Sequence, residues 1–175
     1  MSAVVVSPYS AEWPRQFDRI REELLSVFAQ HAVVVEHIGS TSVPGLAAKP
    51  VIDVLLGAAT LAEIESRIGQ LGERGYVYVP KYERELPTRR YFTKSPAASL
   101  RVHLHAVEID SPIWQAHLAF RDALRSDPAL RAEYQALKLR LAETFADDKS
   151  AYTEAKGPFI QSVLAAATAS TNTQA

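Results

Sequence analysis

The amino-acid sequence predicts an α+β protein built on a mixed β-sheet, with one N-terminal helix and three helices after the last strand. Three observations carry that expectation. Short β-branched or alternating runs recur at 33–38, 51–56, 76–79 and 100–109, bounded by Gly, Pro and Ser, as strands are. Ahead of them, Trp13, Phe17, Ile20, Leu24 and Phe28 repeat every three or four residues, one apolar face of a helix. Beyond residue 110 helical periodicity dominates, and strands followed by a block of helices is an α+β pattern. The length, 175 residues, suits one domain. It is expected over 1–169, with a flexible tail of small polar residues at 170–175.

The elements follow in order. Val4, Val5 and Val6 read as a short strand before Ser7-Pro8. Ser10 is the expected N-cap of the first helix, with Pro14 in its opening turn and its end near His31. Residues 33–38 form a strand closed by Gly39, and 39–49 a loop with one helical turn expected at 45–48. Residues 51–56, almost wholly apolar, read as a buried strand. A helix over 61–74 presents Leu61, Ile64, Ile68 and Leu71 and stops near Gly72 or Gly75. A surface segment over 81–94, broken by Pro87, turns into a strand near 90–93. The C-terminal helices span 112–125, 128–145 and 149–167, and Gly157-Pro158 should kink or restart the third.

Composition excludes several classes. Nineteen Lys plus Arg stand against 20 Asp plus Glu, so no global charge draws the chain to nucleic acid or an anionic membrane. With no cysteine there is no disulfide scaffold, thiolate zinc site or cysteine nucleophile. No apolar run nears the roughly 20 residues that span a bilayer, and the apolar residues 3–6 lack the basic flank of a signal peptide. A cytoplasmic protein is expected, with neither nucleic acid nor membrane as partner.

The most informative stretch is 36–53. A strand runs into Gly39-Ser40, a short loop follows, and the next strand carries the lone acid Asp53. Backbone amides and the hydroxyls of Ser40, Thr41 and Ser42 suit a phosphate, because glycine permits close approach. Asp53 suits a hard cation bridging such phosphates. The alternative is an ordinary turn. A phosphate loop with Lys after its second glycine does not fit, since Leu46 follows Gly45. An acid inside so apolar a strand also needs a cation, a basic side chain or amide donors; Lys49 is one candidate partner.

This run strongly resembles the GrpB family, whose hallmark is Glu-His-Ile-Gly-Ser-Thr, then Val-Pro-Gly-Leu-x-x-Lys-Pro and Ile-Asp. The similarity continues through Tyr9 and Trp13, Gly75-Tyr76, Arg90 with Phe92, His103 with His105, Phe120-Arg121-Asp122, Tyr134 with Lys138, and Tyr152 with Lys156. The resemblance implies a nucleotidyltransferase-type sheet related to the DNA polymerase β superfamily. That superfamily's signature is Gly-Ser followed by Asp-x-Asp on a strand. Gly39-Ser40 and Asp53 fit, but position 55 is Leu55. Residues two apart on a strand share a face, so Leu55 replaces the second carboxylate of a metal pair. Glu36 and Glu108 are the candidate substitutes.

Other groups bear on the site. His103 and His105 alternate around Leu104 and share a face; they suit a metal or phosphate, with His37 as a third member, or else serve as ordinary structural histidines. Arg89 and Arg90 are each either solvated or phosphate-binding, and Arg90, beside the strand signal, is the better candidate. Lys138 and Lys156 either cover apolar surface or neutralise phosphate.

The resemblance and the residues together yield three expectations. The first is a nucleotidyltransferase that moves a nucleotidyl group from a nucleoside triphosphate to a small acceptor, with Asp53 holding Mg²⁺ and Lys49 or Arg90 offsetting charge. The second is a non-catalytic module binding a nucleotide or another phosphorylated metabolite. The third, ranked lowest, is a hydrolase with Zn²⁺ on His37, His103 and His105.

Overall fold

A computed structural model of the chain describes residues 4–29 and 31–172. Helix α1 (Glu12–Val27) leads into strand β1 (Val34–Ile38), a 3₁₀ turn at Ser40–Ser42 and strand β2 (Val51–Ala58). Helices α2 (Leu61–Glu65) and α3 (Ile68–Glu73) precede strands β3 (Val77–Tyr78), β4 (Arg89–Lys94) and β5 (Arg101–Glu108). Helices α4 (Pro112–Ser126), α5 (Pro128–Thr144), α6 (Lys149–Glu154) and α7 (Gly157–Asn172) complete the chain. The strands form one sheet in the order β1-β2-β5-β4-β3, parallel only between β2 and β5. The mixed α+β architecture expected from the sequence is present.

Local chemistry explains most boundaries. The N-cap of α1 is Ala11 rather than Ser10, whose side chain, one residue earlier, accepts from the amide of Glu12; Asp127 accepts from Ala129 and Leu130 to open α5. Such caps satisfy amides that a helix start leaves without partners. The expected third C-terminal helix is divided, restarting at Gly157-Pro158 where the proline ring cannot continue α6. The expected 61–74 helix is likewise split. Ser66 Oγ donates to the carbonyl of Glu63, a side-chain bond that competes with the helical ladder at the break.

Three local expectations are corrected. Val4–Val6 do not form a strand; that segment contributes the Val4 amide to the Ala146 carbonyl and a single bridge between Ser7 and Ala48. The helical turn of the 39–49 loop lies at Ser40–Ser42, not at 45–48. Residues 43–46 instead form a tight turn closed by the Leu46 amide on the Val43 carbonyl. Pro44 takes its second position and Gly45, at φ +79°, its third. Residues 170–172 continue α7 rather than starting a tail, and 173–175 lie outside the described residues.

The two sheet faces meet different partners. On one, Val35, Ile52, Val54, Leu56, Phe92, Val102 and Leu104 pack against α1, α2 and α3 in the main core. On the other, α4 covers β1, the neighbouring part of β2 and the C-terminal end of β5. Trp114 lies over Ile38, Leu55 and Val107, and a Cβ on Gly57 would stand 2.7 Å from its ring. Arg121 fastens α4 to β1, with Nη1 donating to Glu36 Oε2 at 2.6 Å and to the His37 carbonyl at 3.2 Å. Along the neighbouring stretch of β2, β5 and β4 the described residues leave this face open. That gap becomes a cavity.

Replacing Arg121 would leave Glu36 and the His37 carbonyl without their guanidinium in a setting where its side chain is only 10% exposed. Arg121→Met is expected to cost about 3 kcal/mol, measurable by urea denaturation.

Candidate functional site

The cavity measures about 950 Å³. Ser40 and Thr41 enter it from the turn after β1, and Lys49 and Asp53 from β2 and the loop before it. Strands β4 and β5 contribute Arg89, Tyr91, Thr93, Arg101, His103 and His105. Lys138 comes from α5; Lys149, Tyr152 and Lys156 from α6 and the α6–α7 junction; Lys81, Tyr82 and Glu85 from the segment before β4. A chain with net charge −1 thus gathers lysines and arginines around one opening. A smaller cleft of about 440 Å³ among α4, α5 and α7 holds mainly small and apolar residues, and its carboxylate, Asp127, is spent capping α5.

Sheet register builds the floor. Asp53 pairs with Ile38 on one side and His103 on the other, and His103 with Thr93. Two residues along, Leu55 pairs with Glu36 and His105, and His105 with Tyr91. The even-spaced residues therefore share the open face, as their alternation requires. Asp53 Oδ1 lies 3.4 Å from His103 Nδ1 and 3.9 Å from His105 Nε2. Burial would raise the Asp53 carboxyl, but its contacts with the two imidazoles hold it well below the usual carboxylate range. Arg89 Nη1 reaches His105 Nδ1 at 3.3 Å, which assigns that nitrogen as acceptor and puts the ring proton on Nε2, toward Asp53. Burial lowers the His105 pKa. His117 of α4 stands 5.4 Å from the His105 ring, and burial with the nearby His105 pushes it down to about 4.

Above this floor the lysines surround tyrosine rings. Lys156 Nζ lies 4.6 Å and Lys49 Nζ 5.4 Å from the centre of the Tyr152 ring, and Lys138 Nζ 5.0 Å from that of Tyr134. Lys138 is 2% exposed and donates to the Ala47 carbonyl. Burial, then the neighbouring Lys156, pushes its amine down to about 7. Burial, then Lys49, pushes Lys156 down to about 8.

Gly39 joins the turn to the floor. Its φ is +71°, and a Cβ there would stand 2.4 Å from Asp53 Oδ2. Only glycine lets the chain pass so close in that conformation. Ser40 reaches the Tyr134 hydroxyl. Thr41 Oγ1 donates to the Val51 carbonyl at 2.9 Å and lies 3.1 Å from His37 Nε2.

Several expected site residues lie elsewhere. Arg90 is on the opposite sheet face, bound to Glu65 at 2.7 Å and to the Pro87 carbonyl, while Arg89 enters the cavity; one step along a strand reverses the face. Ser42 is structural: Oγ donates to the Gly39 carbonyl and Arg125 holds its own carbonyl. His37 also faces away, stacked 4.7 Å from Phe17, so it cannot join His103 and His105 around a zinc ion. Glu36 shares the Asp53 face but is paired with Arg121, and Glu108 accepts from the Leu61 amide on the far side. Lys49 lines the cavity, yet the side chains against the Asp53 carboxylate are His103 and His105. Arg101, Lys149 and Tyr82 were not singled out from the sequence, because isolated basic and tyrosine residues carry no spacing signal; Tyr152 was marked there only by its pairing with Lys156. Arg90→Ala is accordingly expected to leave ligand affinity unchanged within twofold and to cost up to about 1 kcal/mol of stability, read by calorimetry and urea denaturation.

Comparison with known proteins decides the family. The GrpB family profile, described as GrpB protein, matches residues 3–166. The chain belongs to the GrpB family. Bacillus subtilis UPF0157 protein YqkA is 36% identical over 153 residues, 87% of this chain and 44% of its own length, so the chain spans under half of that relative. The glutamate-rich protein GrpB of Alkalihalophilus pseudofirmus is 31% identical over 165 residues, 92% of this chain and 94% of the relative. The crystal structure of GrpB from Enterococcus faecalis superposes with a TM-score of 0.83 at 35% identity, covering 93% of this chain and 96% of that one. Outside the GrpB family, the Cid1 poly(U) polymerase bound to Mg and 3'-dATP matches with a TM-score of 0.55 at 12% identity, over 86% of this chain and 49% of that one. That likeness is one of fold, and it makes the GrpB sheet with its flanking helices nucleotidyltransferase-like.

Among the described residues, no helix is long and apolar enough to cross a membrane.

Proposed function

We propose that the chain binds a nucleoside triphosphate in the 950 Å³ cavity, with the phosphates over its lysines and arginines and the base against Tyr82 and Tyr91. The observation that carries this reading is the concentration of Lys49, Lys138, Lys156, Arg89 and Arg101 on one opening of a protein whose net charge is −1. Arginine forks and lysine amines together suit a chain of phosphates. Arg89 Nε supports it further: it is buried without a hydrogen-bond partner among the described residues, a donor that costs free energy until something accepts from it. Tyr82 and Tyr91 meet edge to face 5.6 Å apart and offer ring surface for a base.

A second reading, nucleotidyl transfer to a small acceptor, is favoured by the contact between Gly39-Ser40 and Asp53, the spacing of the transferase signature. The paired Mg²⁺ centre of that chemistry does not fit these residues. Leu55, where the second carboxylate belongs, is fully buried beneath Trp114, and Glu36 is held by Arg121. No group of three or more His, Asp or Glu side chains among the described residues is arranged to hold an ion. An Mg²⁺ ion arriving on the phosphates would meet Asp53 as its carboxylate ligand.

Titration calorimetry with ATP, GTP, CTP and UTP, paired with thermal melts, tests the binding. At least one triphosphate should stabilise the fold, by about 2.7 kcal/mol at 100 times its Kd. Arg101→Ala should weaken that ligand about tenfold, equivalent to about 1.4 kcal/mol. Absence of heat and of any melting shift with all four overturns the reading.

A further inference from the structure

Asp53 Oδ1 and His103 Nδ1 face each other on the floor of the cavity. We propose that the two form a dyad in which His103 Nε2 is the nucleophile of a nucleotidyl transfer that passes through a covalent nucleotidyl-histidine, without a paired metal centre. This inference rests on triphosphate binding in the cavity.

The geometry separates His103 from its neighbours. Its Nδ1 faces Asp53 Oδ1 at 3.4 Å, so a neutral ring with its proton on Nδ1 carries its lone pair on Nε2. The side chain lines the cavity and is 29% exposed. His105 is only 15% exposed; Arg89 holds its Nδ1 at 3.3 Å, and its Nε2 faces Asp53 at 3.9 Å. The Tyr91 ring packs edge-on 5.9 Å from His103 and limits its rotation. A carboxylate behind an imidazole fixes its tautomer and stabilises positive charge on the ring. The metal pair that elsewhere neutralises developing phosphate charge does not fit this site, and Lys49 and Arg101 in the same cavity offer positive charge instead.

The Nε2 lone pair attacks the α-phosphorus and forms an N–P bond. The P–O bond to the β-phosphate breaks, its electron pair leaving with pyrophosphate. The ring, now substituted on Nε2 and protonated on Nδ1, is positive and faces the Asp53 carboxylate. An acceptor hydroxyl then forms an O–P bond, the N–P pair returns to Nε2, and the acceptor proton passes to solvent.

The full chain is incubated with each [α-³²P] nucleoside triphosphate in EDTA, denatured and analysed by peptide mass spectrometry, with binding measured in parallel by calorimetry. The expected result is an alkali-stable, acid-labile label on His103. It is lost in His103→Ala and in the more conservative His103→Gln, and reduced at least tenfold in Asp53→Asn, with each variant's fold checked by its melt. Binding without label overturns the inference and leaves the binding reading standing. Label that persists in both His103 variants, label only from the γ-phosphate, or label only when Mg²⁺ is added also overturns it. Absence of binding and label together overturns both.

Discussion

Gly39→Ala is expected to destabilise the protein by about 3 kcal/mol or more and to abolish ligand binding. Two costs add. An L residue at φ +71° forfeits on the order of 1 kcal/mol or more. The new Cβ would also stand 2.4 Å from Asp53 Oδ2 and 2.9 Å from its Cβ, so β2 or the turn must shift. That shift moves Asp53 relative to His103 and His105 and displaces Ser40. Gly45→Ala is the internal control. Gly45 has φ +79°, but nothing lies within 4 Å of its added Cβ, so it should lose only about 1 kcal/mol. Urea denaturation of the two variants reads the difference. Equal losses would mean that the turn yields and that the close approach to Asp53 carries no energy.

Acid is expected to weaken the fold by several kcal/mol between pH 6.5 and pH 4. His37 and His117 are both pushed down from 6.5 to about 4, chiefly by burial. The unfolded chain therefore takes up their protons first. Stability is complete above the unfolded value, falls as pH drops below about 6.5, and stops falling on their account below about 4. Each shift corresponds to up to about 3 kcal/mol. His105, lowered in the same direction, adds to the loss. Asp53, held below its ordinary value, contributes only once the pH enters the carboxylate range, so the window belongs to the histidines. Urea midpoints at pH 7, 5.5 and 4 should fall steadily in the wild type. They should fall less in His117→Gln, whose amide cannot titrate. A flat profile in the wild type would place both imidazoles in solvent-like surroundings.

Much of this molecule was legible in the residues, and the illegible part has a common cause. Local patterns found α1, β1, β2, β5 and the C-terminal helices, because apolar spacing and caps act over a few residues. The run from Gly39 to Asp53 stood out for the same reason, and the alternation of His103 and His105 correctly placed both on one face. Pairings across the sheet carried no such signal. The parallel match of Asp53 with His103, from strands fifty residues apart, decides which partners the carboxylate meets. The registers also decide that Arg89 rather than Arg90 enters the cavity and that His37 does not. Arg101, Tyr82 and Tyr152 arrive from three separate segments, and only tertiary packing makes them neighbours.

The lysines stacked on the tyrosine rings have a further consequence. With their amines pushed down to about 7 and 8, Lys138 and Lys156 carry less than their full charge at neutral pH. A polyanion settling among them restores that charge by drawing protons from the medium. Ligand and proton then bind as one equilibrium, each tightening the other. Affinity should fall as pH rises past 8, and the apparent binding heat should change with the ionisation enthalpy of the buffer. In such a cavity the hydrogen ion is itself a co-ligand, and a modest change in surrounding acidity is a change in occupancy.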